Sequence, residues 1–172
     1  MTELIFLFCI GFSHIFPKFK ETTAMSWVSI WIHVVFATKN REPFLHSSIR
    51  KQVFQHIKQN AEEKGFWIDC VNGYMDHAHC LISLNKNQTI SEVVQLIKGE
   101  SSYWINKNKL TQSKFSWQDD YWAVSVSESH LGPLRNYIFN QENHHNKNTF
   151  SKELDEFTKK YGWKLVSEKH DQ

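Results

Sequence analysis

Trp27-Val28-Ser29-Ile30-Trp31-Ile32-His33-Val34-Val35-Phe36 is β-branched or aromatic almost throughout, a composition that suits a pleated, well-buried strand. Such a segment is expected at the centre of a sheet. Downstream, Ser47 caps a helix through about Lys64, with Val53, Ile57 and Ala61 at helical spacing and Gly65 as its stop. Phe66 to Tyr74 and His79 to Leu84 form two strands with a tight turn near Met75 and Asp76. Thr89 caps the next helix, which places Ile90, Val93, Val94 and Ile97 on one face, continues through Tyr103 and Trp104, and ends near Asn106. A loop rich in Lys, Asn, Gln and Ser leads to a strand near Tyr121 to Val126. Gly132-Pro133 then introduces a helix from Leu134 to about His145, and a final helix covers Ser151 to Tyr161. The order β, α, β, β, α, β predicts an α+β fold, the ferredoxin-like split βαβ sandwich. An antiparallel sheet carries two helices on one face, with additional C-terminal helices.

A chain of 172 residues with 41% apolar and 15% aromatic content suits one domain with a real core. The 20 basic and 18 acidic residues nearly cancel, so any nucleic-acid footprint has to be local. Cys9, Cys70 and Cys80 form no C-x-x-C pair, which argues against a disulfide framework and a thiolate zinc cage and fits a reducing cytoplasm. The apolar run Leu4 to Phe12 lacks preceding Lys or Arg and an A-x-A site, and it is shorter than the roughly 20 residues a bilayer needs, so no membrane role is expected. The expected division is an extension over residues 1–24, a domain over 25–161 and a tail over 162–172.

Two local patterns carry chemistry. In His77-Ala78-His79 the strand period points both imidazoles to one side of the sheet, where they can share a metal ion. A chain with 10 histidines produces such pairs by chance, so this one needs a third ligand. Tyr137 and Gln141 are four apart on an expected helix and share a face. A glutamine amide oxygen can ligate a divalent ion, whereas a lone tyrosine on an amphipathic helix is ordinarily a core residue. His33 on the first strand is either a buried hydrogen-bonded residue or a support for the site. His145, four beyond Gln141, could stand behind the ligands or face phosphate.

Together these patterns resemble the single-tyrosine HUH transposases of the insertion sequence 200/605 type, REP-associated relatives included. Their signature is histidine, hydrophobe, histidine, then a downstream helix with Tyr-x-x-x-Gln. The likeness runs through Trp31-Ile32-His33-Val34-Val35-Phe36-Ala37-Thr38-Lys39, Asp76-His77-Ala78-His79-Cys80-Leu81-Ile82 and Leu96-Ile97-Lys98-Gly99. It continues in Phe115-Ser116-Trp117-Gln118 and Tyr137-Ile138-Phe139-Asn140-Gln141-Glu142-Asn143-His144-His145, and spans roughly Ser26 to Lys160. Ala78, small for the middle of the His pair, and Trp122, where a small residue is usual, depart from the pattern without removing a functional group.

The resemblance implies that His77, His79 and Gln141 bind one Mg2+ or Mn2+ and that Tyr137 attacks the scissile phosphate. It further implies a 5′-phosphotyrosine with a 3′-hydroxyl product, single-stranded DNA with hairpin ends as substrate, and a homodimer whose active sites are shared between chains. Gly132-Pro133 reads as the joint that would send the tyrosine helix to a partner. For DNA contact, Lys107, Lys109 and Lys114 alternate with aromatics, Trp117 among them, in a stretch without acidic residues, and Lys39 and Arg41 form a second group. Two rival readings remain open: a zinc-dependent hydrolase built on the His pair, and a domesticated module that binds nucleic-acid hairpins without cutting.

Overall fold

The computed structural model describes residues 27–142. The expected helix at 151–161, the boundaries at 24 and 162, and His145 lie outside them. The described elements are β1 (Ile30–Ala37), α1 (Ser47–Glu63), β2 (Trp67–Gly73), β3 (His77–Leu84), α2 (Ile90–Lys107), β4 (Trp122–Val126) and α3 (Glu128–Phe139), with a short 3-10 turn at Lys39–Arg41. The strands lie in the order β2-β3-β1-β4, every neighbouring pair antiparallel, which is the ferredoxin-like arrangement.

β1 is central, and its period-2 alternation sorts its residues between two covered faces. Ile32, Val34 and Phe36 join Ala78, Cys80 and Ile82 of β3 in the core under α1 and α2. The other face carries His33, Val35, His77, His79 and Leu81, over which α3 lies. Burial on both faces explains why the β1 sequence shows no polar alternation. Each fully buried core side chain, such as Phe36 or Ile82, contributes roughly 1.5–3 kcal/mol.

The helix ends follow from local chemistry. Thr89 closes a capping box with Glu92, as its position before the apolar face predicts. Ser47, expected as a cap, is instead the first helical residue of α1, after His46. α1 ends as a Schellman turn: Gly65 at φ +79° donates to the Glu62 carbonyl and Phe66 to that of Ala61. α2 repeats the turn with Lys109 at φ +52° in the position glycine usually holds.

α3 corrects one expectation. It starts at Glu128, six residues before Leu134, so Gly132 and Pro133 lie inside the helix and only Ser127 separates it from β4. Proline's φ is already helical and its missing N–H removes a single bond, the one to the Ser129 carbonyl. Burial of Leu131 and Ile138 against Cys70 and Leu81 holds the helix across that gap.

Candidate active site

The β2–β3 hairpin sets the His pair. Gly73 is required at its turn, because a Cβ there would collide with the His77 carbonyl and stand 2.9 Å from Ala78 Cα. β3 then starts at His77, and strand alternation aims His77 and His79 at the α3 face, both with 0% exposure.

Each imidazole is held at its Nδ1. Asp76 Oδ1 accepts a hydrogen bond from His77 Nδ1 at 2.7 Å. His79 Nδ1 lies 3.0 Å from His33 Nε2, with the two ring planes 17° apart. Asp76 also takes the Arg41 guanidinium through Oδ2 at 2.9 Å. Burial alone would raise the Asp76 carboxyl, but His77 and Arg41 outweigh it and bring its pKa to about 2. Burial pushes His33 down to about 4, and it lowers His77 against the opposing pull of Asp76 and Gln141. His33 and His77 are therefore neutral at physiological pH, the form in which imidazole ligates metal.

α3 lays Tyr137 over these rings, and Gln141 follows just past the helix's C-cap residue Asn140. The Tyr137 ring meets His79 edge-on with centroids 5.7 Å apart, and His33 at 6.4 Å. Gln141, one turn on and fully buried, hydrogen-bonds His77. The helix is seated by polar clamps from β2: Asp69 pairs with Arg135 at 2.7 Å, and Asn72 Nδ2 donates to the carbonyls of Ile138 (3.0 Å) and Phe139 (3.1 Å). Buried Arg50 of α1 pairs with Glu142 directly after Gln141.

The donor set fits a divalent cation. Among the described residues no group of three His, Cys, Asp or Glu side chains is placed to hold a metal ion, and beside the His pair Gln141 carries an amide oxygen that could serve as a further donor. The Nδ1 contacts leave ligation to Nε2 of each ring.

The DNA candidates divide. Lys39 and Arg41 sit at the His77 end of the sheet, where Thr38 donates its backbone N–H to the Asp76 carbonyl, but both are engaged, Lys39 with Asp119 at 2.9 Å and Arg41 with Asp76. Lys107, the last residue of α2, and Lys109 and Lys114 beyond it are exposed. Trp117 is not a stacking platform. It is 4% exposed, donates from Nε1 to Ser101 Oγ at 2.9 Å, and packs edge-on against Phe36 and Phe115. Its bridge with Thr38 folds the loop back on β1, a long-range contact invisible in the local Lys/aromatic pattern.

Asp76, Asn72 and Asp69 were not singled out as site residues from sequence. Asp76 had a signal in its place directly before His77. Asn72 had none beyond an Asn-Gly turn pair, since its role depends on where α3 docks.

No helix of the described residues is long and apolar enough to cross a membrane. Residues 26–141 match the family model described as IS200-like transposase. The chain is 26% identical over 115 residues to the ISDra2 transposase TnpA of Deinococcus radiodurans, covering 63% of this chain and 81% of that one. Its fold is similar to a crystal structure assigned to a transposase of Deinococcus radiodurans, with a TM-score of 0.56 and 21% identity over 71% of this chain and 98% of that one. A REP-associated tyrosine transposase bound to a REP hairpin is more distant, at TM-score 0.48 and 15% identity over 74% of each chain.

Proposed function

Because the chain belongs to the IS200-like transposases, enzymes that cut and join DNA, we propose that it cleaves and rejoins single-stranded DNA at hairpin-bearing element ends through Tyr137. The observation that carries this is the convergence of Tyr137 of α3, and of Gln141 just beyond that helix, on His77 and His79 of β3.

The Tyr137 oxygen attacks the scissile phosphorus and its proton leaves as the bond forms, since a phenol with a pKa near 10 is a weak nucleophile while neutral. The bond from phosphorus to the 3′-oxygen breaks, and that oxygen departs as a hydroxyl after taking a proton. The strand's 5′-phosphate stays on Tyr137. Attack by another 3′-hydroxyl reverses the step and joins strands, so no nucleotide fuel is consumed. His77, His79 and Gln141 would hold Mg2+ or Mn2+, which supplies charge neutralisation and orientation at the phosphate. Exposed Lys107, Lys109 and Lys114 are the candidate phosphate contacts.

Single-stranded element ends incubated with Mn2+ should give a covalent protein–DNA adduct. Tyr137→Phe keeps the ring packing and is expected to abolish adduct and cleavage while DNA binding survives; an adduct with that variant removes Tyr137 from the role. His77→Ala, His79→Ala and Gln141→Ala should each weaken Mn2+ binding, measured by titration calorimetry, and slow cleavage. Undiminished cleavage by all three in chelator would show that the ligands are misassigned. A zinc hydrolase would be indifferent to Tyr137→Phe, and a hairpin-binding module would bind without any adduct.

A further inference from the structure

Two side chains touch the His pair without a part in the chemistry above. His33 pairs with Leu81 in the β1–β3 register, two residues on from His79 and on the same face, a diagonal relation that lets the two rings meet. Asp76 precedes His77 and reaches its ring from the turn.

The protons on these contacts are constrained. A carboxylate only accepts, so His77 Nδ1 carries a hydrogen. Between His33 Nε2 and His79 Nδ1, 3.0 Å apart and both buried, there is room for one proton. If His79 ligates through Nε2, that proton belongs to its own Nδ1, and His33 accepts with Nε2 and carries its hydrogen on Nδ1.

We propose that His33 and Asp76 are positioning residues, each holding one imidazole, His79 and His77 respectively, as the Nδ1–H tautomer so that both rings present Nε2 to a divalent cation. An unconstrained imidazole in water prefers the opposite tautomer, with its proton on Nε2, which would have to be lost before ligation. The two supports differ, a carboxylate for one ring and a neutral imidazole for the other, so the site gains only one negative charge behind two ligands. This rests on the reading of His77 and His79 as ligands.

Nitrogen–proton correlation spectra of the full chain with 15N-labelled histidine, without metal, read which nitrogen of each ring is protonated. His77 and His79 should both be Nδ1–H. His33→Leu should move His79 toward Nε2–H and leave His77 unchanged, and Asp76→Ala should do the converse. Titration with Mn2+ alone should show each variant binding roughly 10- to 100-fold more weakly. His33→Gln and Asp76→Asn, whose amide oxygens still accept, should keep the tautomers and most of the affinity. These two variants also serve as the readout if His33→Leu does not fold. Nε2–H on either ring of the wild type overturns the proposal. So does wild-type Mn2+ affinity in both His33→Leu and Asp76→Ala. If His77→Ala and His79→Ala also bind Mn2+ like the wild type, the ligand assignment fails with it; if they alone lose binding, the ligands stand and only the positioning role falls.

Discussion

Gly73 shows how one atom can govern the site. A side chain there would run into the backbone that begins β3, and backbone cannot rotate aside as a flexible side chain can. Gly73→Ala should therefore cost roughly 1–3 kcal/mol, the usual scale of overpacking, measured by urea unfolding. It should also shift His77 and weaken Mn2+ binding. A variant with wild-type stability and affinity would mean that the turn has slack. At this scale the sequence was partly legible. That His77 and His79 share a sheet face, and that Tyr137 and Gln141 lie one helical turn apart, was readable because strand and helix periods are local properties. Trp117 was misread because its surroundings, Phe36, Phe115 and Ser101, come from segments that only the folded chain brings together.

Elements were legible where their ends are encoded by neighbouring residues, as with the capping box at Thr89 and the glycine stop at Gly65. The start of α3 was not, because Gly132-Pro133 reads locally as the joint before a helix at Leu134, whereas tertiary packing of Leu131 and Ile138 carries the helix through it. Lys109 gives an element-scale prediction. A left-handed residue other than glycine costs about 1–2 kcal/mol, while glycine's greater freedom in the unfolded chain returns part of that. Lys109→Gly should leave the protein as stable or up to about 1 kcal/mol more stable by urea unfolding. If the lysine also meets a phosphate, DNA affinity should fall across all sequences and its salt dependence should lose about one unit of slope. Lower stability would show that the Lys109 side chain supports the end of α2.

At the scale of the whole molecule, Tyr137 reaches the His pair from α3, across the boundary between that helix and the sheet. Two chains that exchange α3 would therefore recreate the site between subunits, as the resemblance to the family implies. Mixing Tyr137→Phe with His77→Ala chains should then restore one working site per mixed dimer, seen as an adduct on the His77→Ala chain. Confirmed mixed dimers without cleavage would assign the site to single chains, with Ser127 too short a joint for the exchange. The division of the sheet into an apolar face and a reactive face has a further consequence for inheritance. On the proposed reading of the His pair, consecutive positions along β1 and β3 would answer to different selective pressures: Val34 and Cys80 to whether the chain stays folded, His33 and His79 to whether it cleaves DNA. A lineage that stops transposing can lose the second set without losing the first, leaving an intact scaffold whose alternate positions drift.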